Sequence, residues 1–248
     1  MKLRLPWLIV FTLIRMSVLS QCIGREKIVF GGDYNFVDYI FHCPTYSFAI
    51  NGDTSKNWNI LNDPIELKQA PAKALKYRRF VEVAIKKYSG AAFFADLKFI
   101  DVEVVFPDKF SAFSGRSDVS QRYCKARYFY HYQFTPDTIA KYLIGIAVDD
   151  RGKIISPFTF PSRKYYRPVD KSFTYCKLIE IARKNQSKID PIEDIKLDYD
   201  KKDKKFYWLI SQAIVNVHEG RNDVNLVYID ASDLSKVKTV KSYALIIF

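Results

Sequence analysis

The segment from Lys204 to Ala231 constrains the fold more than any other part of the chain. Phe206, Trp208, Ile210 and Ile214 alternate with Tyr207, Leu209, Ala213 and Val215. That spacing predicts a long strand, because side chains leave a strand on opposite faces at every second residue. A turn-rich break, His218-Glu219-Gly220-Arg221-Asn222-Asp223, leads to a second apolar run, Leu226-Val227-Tyr228-Ile229, which closes at Asp230-Ala231. The two runs read as an antiparallel hairpin. Both faces of the first run are apolar, so the rest of the chain must cover both sides of any sheet it joins.

Composition agrees with a folded chain rich in strands. The 248 residues are 48% apolar and 27% charged, enough to build a real core. The aromatic share of 16%, mostly Tyr and Phe, favours pleated surfaces over helices.

The amino terminus is a separate unit. Lys2 and Arg4 precede Leu8-Ile9-Val10-Phe11-Thr12-Leu13-Ile14, and Met16 to Ser20 lead into Gln21-Cys22, the charged, apolar and small-residue order of an export signal. Arg15 limits the apolar run to about half of the roughly 20 residues a spanning helix needs, so residues 1–20 are expected to be cleaved rather than to stay in a membrane. Val18 and Ser20 suit a signal peptidase that releases a soluble chain starting at Gln21. Leu19-Ser20-Gln21-Cys22 also resembles a bacterial lipobox, in which Cys22 is the lipid attachment point and tethers the protein to a membrane. In that motif Gln21 stands where Gly, Ala or Ser is usual.

The cysteines follow the same fork. With Cys22 lipidated, Cys43, Cys124 and Cys176 allow one bridge and leave a thiol. With Cys22 free, four cysteines allow three connectivities and the spacing chooses none of them. No C-x-x-C occurs and His42, His131 and His218 are far apart, so neither a metal site nor a cofactor is expected. Removing Lys2, Arg4 and Arg15 from the 39 basic residues still leaves an excess of nine over the 27 acidic ones. A basic exported protein suits anionic lipid or an acidic partner, and nucleic acid is not expected outside the cytoplasm.

Residues 21–62 read as an N-terminal extension of short strands and turns, with Asn51-Gly52 a hairpin turn. A first unit spans 63–156. Asp63-Pro64-Ile65-Glu66 carries the cap, proline and carboxylate of a helix start, and Tyr77, Val81, Ala84 and Tyr88 then mark one helical face until Gly90. Strands are expected at 91–106, 122–134 and 142–155. The cluster Lys76, Arg78, Arg79, Lys86 and Lys87 lies on the outer side of that helix. Pro157, Pro161 and Pro168 mark a linker over 157–169. A second unit, 170–248, repeats the order: a helix capped at Asp170 or Ser172 with Tyr175, Leu178, Ile179 and Ala182 inward, then four strands. The predicted class is α+β, two tandem units with a helix on an antiparallel sheet in each.

Ser172 to Lys184, then Phe206-Tyr207-Trp208-Leu209-Ile210, then Val227-Tyr228-Ile229-Asp230-Ala231, resemble the PepSY-type module of exported bacterial proteins over roughly residues 170 to 240. The wider architecture is similar to the cystatin-like helix on a sheet. Ser232-Asp233-Leu234-Ser235 replaces the Thr-Gly turn usual in the family. The resemblance implies an exported binding or inhibitory module of the cell envelope, associated with peptidases, and no catalytic residues.

Three functions follow as expectations. The first is a noncatalytic envelope binding protein holding a protein or peptide partner, located in the periplasm, the outer envelope or at the cell surface. The second is a pocket enzyme with His131, Asp149 or Asp150, and Glu219 as acid and base groups. The third is a structural or adhesion component with Trp58, Tyr34 and Tyr39 as an aromatic patch.

Overall fold

A computed structural model describes residues 22–34, 43–52, 64–109, 124–136 and 140–247. The export signal and Gln21, Tyr39, His42 and Trp58 lie outside them. The chain is α+β, with two sheets and few helices.

Among the described residues ten strands run as β1 (Gly31–Asp33), β2 (Thr45–Ala49), β3 (Ile65–Glu66), β4 (Leu97–Val105), β5 (Arg127–Phe134), β6 (Tyr142–Asp149), β7 (Ile192–Asp200), β8 (Lys205–Gln212), β9 (Gly220–Asp230) and β10 (Val237–Ile246). The α-helices among these residues are α1 (Ala72–Ser89), α2 (Ala91–Ala95) and α3 (Tyr175–Asn185). A six-stranded sheet has the order β1-β6-β5-β4-β2-β3, and a four-stranded sheet the order β10-β9-β8-β7. The second is an antiparallel meander, as the sequence predicts for that half. The first is mixed, not antiparallel: β1 runs parallel to β6 and β3 parallel to β2.

Three differences from the sequence reading have local causes. The cap signature at Pro64-Ile65-Glu66 starts no helix, because Ile65 is buried and pairs with Phe48 on β2. A short 3-10 turn, Leu67–Gln69, follows, and α1 begins only after Pro71. Residues Ala91–Ala95 are helical rather than extended: Gly90, at φ +91°, redirects the chain so that Phe93 enters the core. The cap of α3 is Thr174, whose Oγ1 accepts from the Lys177 N–H at 3.1 Å, rather than Asp170 or Ser172.

Both longer helices bury side chains in the core. Tyr130 Oη donates to the Ala74 carbonyl at 2.8 Å, and the Tyr77 and Tyr128 rings meet edge to face at 5.3 Å, which fixes α1 on the six-stranded sheet. On α3, Leu178, Ile179 and Ala182 are buried, and the adjoining Phe173 and Tyr175 flank the fully buried Trp208 ring at 4.5 and 5.9 Å.

The two sheets share one core. Phe160 stacks on Phe93 at 5.0 Å, Phe93 on Phe134 at 4.7 Å, and Phe134 on Phe206 at 5.2 Å, all within 14° of parallel, so the pile crosses from the proline-rich segment through the first sheet to the second. Residues 157–169, expected as a linker, thus contribute to that core. Phe160, Tyr166 and Val169 are core residues, and the segment bonds on both sides, Arg163 N–H to the Tyr88 carbonyl and Asp170 N–H to the Ala231 carbonyl.

The amino-terminal extension is built into both sheets. Ile28 bridges Ile195 in parallel and the Val29 N–H donates to the Ile195 carbonyl, while three residues later β1 pairs with β6. Gly31 sits in the crossing: a Cβ there would fall 1.5 Å from the Leu197 carbonyl oxygen, so no other residue fits without moving β7. Disulfides join Cys22 to Cys176 and Cys43 to Cys124. Of the three connectivities open to four cysteines, the structure has Cys22 with Cys176 and Cys43 with Cys124. Two cysteine pairs at disulfide distance fit an exported protein. No helix among the described residues is long and apolar enough to cross a membrane.

Candidate functional site

Strand alternation turns Tyr128, Tyr130, Tyr132 and Phe134 toward α1 and leaves Phe129 and His131 on the outer face of the six-stranded sheet. Phe129 joins Val105, Ala147 and the Cys43 and Cys124 pair in a small second core there. A bulge between Phe99 and Asp101 shifts the register, so that Asp101 rather than Ile100 faces His131. The result is a His131 Nδ1 to Asp101 Oδ1 contact of 2.5 Å, with His131 only 5% exposed. The Tyr34 ring lies 4.2 Å from the imidazole, and burial, together with the Asp101 charge, pushes its phenol up to about 12. Tyr34 is thus neutral at physiological pH, next to a carboxylate and an imidazole.

The other acid and base candidates are not brought to this cluster. Asp149 pairs with Arg127, four residues along β5 from His131, or roughly 13 Å at strand rise. Its Oδ1 accepts from the Arg151 and Lys153 N–H groups at 3.0 and 2.8 Å, which makes it a turn former. Asp150 uses its carbonyl to accept from Tyr77 Oη at 3.0 Å. Glu219 is exposed, between β8 and β9 of the other sheet. Asp101 and Tyr34 are the partners of His131 that the sequence did not reveal. The bulge hides Asp101 from any count along β4, and Tyr34 comes from the extension.

A second feature lies at the far end of the four-stranded sheet. β8 pairs with β9 only from Tyr207 to Ser211, whereas β9 and β10 pair over ten positions. Gly220–Asn225 and Lys241–Ile246 therefore run on as a two-stranded arm. Toward the free end of the arm Asn222 ties β9 to the loop before it: the side chain donates to the His218 and Gly220 carbonyls and accepts from the His218 N–H. Beside it lies an open groove of about 370 Å³ bordered by Ile214, Val215, His218, Arg221 and Asp223.

Among the described residues β10 pairs only with β9, so its outer edge is open. Val240, Tyr243 and Leu245 on this strand are 40, 53 and 67% exposed, and Val215 and Val217, in the segment before β9, are also exposed. An edge strand ordinarily carries charges that prevent pairing, yet from Ser242 to Ile246 this one carries none. The arrangement offers free backbone donors and acceptors beside apolar side chains, the chemistry that accepts an added strand.

No family model, curated protein or solved structure matches the chain.

Proposed function

We propose that this chain is an exported, noncatalytic binding protein that holds an extended segment of a protein partner along the open edge of β10. The observation that carries the reading is that edge itself: ten residues long, unpaired on its outer side among the described residues, with Tyr243 and Leu245 standing in solvent. Main-chain pairing would supply the affinity, and the exposed side chains of β10 would supply the selectivity.

The two halves, 63–156 and 170–248, are read as divergent copies of a helix-on-sheet unit, the second PepSY-like. Support comes from the order of elements, since α1 and α3 each precede an antiparallel run of strands, and from the place of Trp208 beneath α3. That likeness is what favours the cell envelope as the location and a peptidase-linked or inhibitory role.

Envelope extracts passed over the chain test the reading. Wild type is expected to retain a reproducible partner, and Val240→Lys with Leu245→Glu to lose it, since both residues are exposed and their replacement leaves the fold intact. No reproducible partner, or equal retention by the double variant, would overturn the proposal. Self-association of wild type in sedimentation, abolished by the same substitutions, would instead assign the edge to the structural alternative. The enzymatic alternative rests on the His131 and Asp101 pair, and it requires a substrate to reach a nearly buried imidazole.

A further inference from the structure

Helix α1 carries a surface that its packing does not explain. Its buried positions, Ala74, Tyr77, Val81, Ile85 and Ser89, occupy the side against the sheet. On the opposite side Lys73, Lys76, Phe80, Val83 and Lys87 follow one another at steps of three and four residues, with Arg79 and Lys86 alongside, all exposed. At 3.6 residues per turn these seven span an arc of roughly 140°. Phe80 is 54% exposed and Val83 66%. Both are apolar side chains left in water in the middle of a row of cations.

The charge on this arc has one sign. Five side chains are basic and none is acidic. The helix's single carboxylate, Glu82, lies at the margin, bound to Arg78 at 2.8 Å. Further cations extend the surface past the helix end: Arg163 lies against Gly90, and Lys164 follows it. At the flank, where Tyr77 meets the turn beyond β6, Arg151 and Lys153 are balanced by Asp149 and Asp150, so the charge of one sign is confined to the helix and the segment past its end. Like charges at helical neighbours repel, so a face of this kind loses some helix stability for no gain in packing.

We propose that the outer face of α1 is a docking surface for an anionic phospholipid bilayer, with the five cations against the headgroup phosphates and Phe80 and Val83 entering the headgroup boundary. The physical warrant is the match of two features. A convex, straight cylinder of cations fits a flat anionic plane better than it fits a protein pocket. An apolar pair at its centre gains from the interface what it lacks in water. This site is separate from the β10 edge, and either can fail without the other.

The test uses the full chain with both disulfides formed, co-sedimented with vesicles of phosphatidylcholine alone or mixed with phosphatidylglycerol. Wild type is expected to bind the anionic vesicles at least tenfold better and to lose that preference as salt rises. Lys76→Glu with Arg79→Glu should lower anionic binding at least tenfold, and Phe80→Ser with Val83→Ser several-fold at unchanged charge. Lys201→Glu with Lys202→Glu, on the exposed turn between β7 and β8, changes net charge equally and should leave binding within twofold. Equal binding to both vesicle types, an equal loss with the Lys201 and Lys202 pair, or preferential capture by poly-glutamate would each overturn the proposal, the last by pointing to an acidic protein.

Discussion

Lys238 holds more of the second sheet's outer face than any neighbouring side chain. Its ammonium donates to Asp200 and Asp203 at 2.8 and 2.5 Å and lies over the Tyr207 and Tyr228 rings at 4.4 and 4.8 Å. Tyr207 Oη donates to the same Asp203 carboxylate. The bonds from Lys238 and Tyr207 hold Asp203 below the usual carboxylate range. For Asp200, burial pushes upward, but the Lys238 bond and backbone N–H groups outweigh it and the net shift is downward. Burial lowers Lys238 itself, and its two carboxylates more than reverse this. Depressed carboxylates contribute stability above their ordinary value near 3.8 and lose it as pH falls through the folded value, whereas a raised lysine contributes below 10.5 and loses it as pH climbs. The cluster therefore supports the fold between about pH 4 and 10. Lys238→Met should cost about 1 kcal/mol at neutral pH, since water partly screens the half-exposed ammonium, and flatten the acid limb of the thermal midpoint, measured from pH 2 to 7.

At the scale of elements, α3 depends on its first turn. Thr174→Ala removes the acceptor for the Lys177 N–H and should lower stability by about 1 kcal/mol in a denaturant titration, while Thr174→Ser should preserve it. This helix, α1 and the β7 to β10 meander were legible in the sequence because each carries a long periodic pattern. Tyr77, Val81 and Ile85 repeat at helical spacing, and Phe206, Trp208 and Ile210 at strand spacing. Even so, Phe80 on the same helix as Tyr77 faces water. The elements that escaped notice are short or joined at long range. β1 and β3 have three and two residues, too few for any period, and both pair in parallel with strands that local turn signals cannot indicate. The candidate site was legible in part. The open strand Val237–Ile246 follows from its apolar run, but the pairing of His131 with Asp101 depends on a bulge that leaves no mark in composition.

At the scale of the molecule, the prolines at 157, 161 and 168 suggested a seam, and the structure fills that place with Phe160, Tyr166 and the shared aromatic pile. Proline excludes a ladder strand but not a packed irregular segment, so the boundary inferred from it was a boundary of secondary structure and not of the core. The bridge from Cys22 to Cys176 closes 154 residues, and by chain entropy Cys22→Ser with Cys176→Ser should lower stability by on the order of 3–5 kcal/mol in a nonreducing melt. Intact mass of the protein from its native host checks the same bond: two disulfides and no acyl group are expected, and a diacylglycerol on Cys22 would rule the bridge out.

The strip from Cys22 to Asp33 touches β7, β6 and α3, all made later than itself. During synthesis this strip must wait, unpaired, until Cys176 and Ile195 have emerged, while Cys43 and Cys124 can meet much sooner. The strip is thus fastened only after most of the chain exists, and anything that holds it back keeps β6 and β7 from being tied together through it.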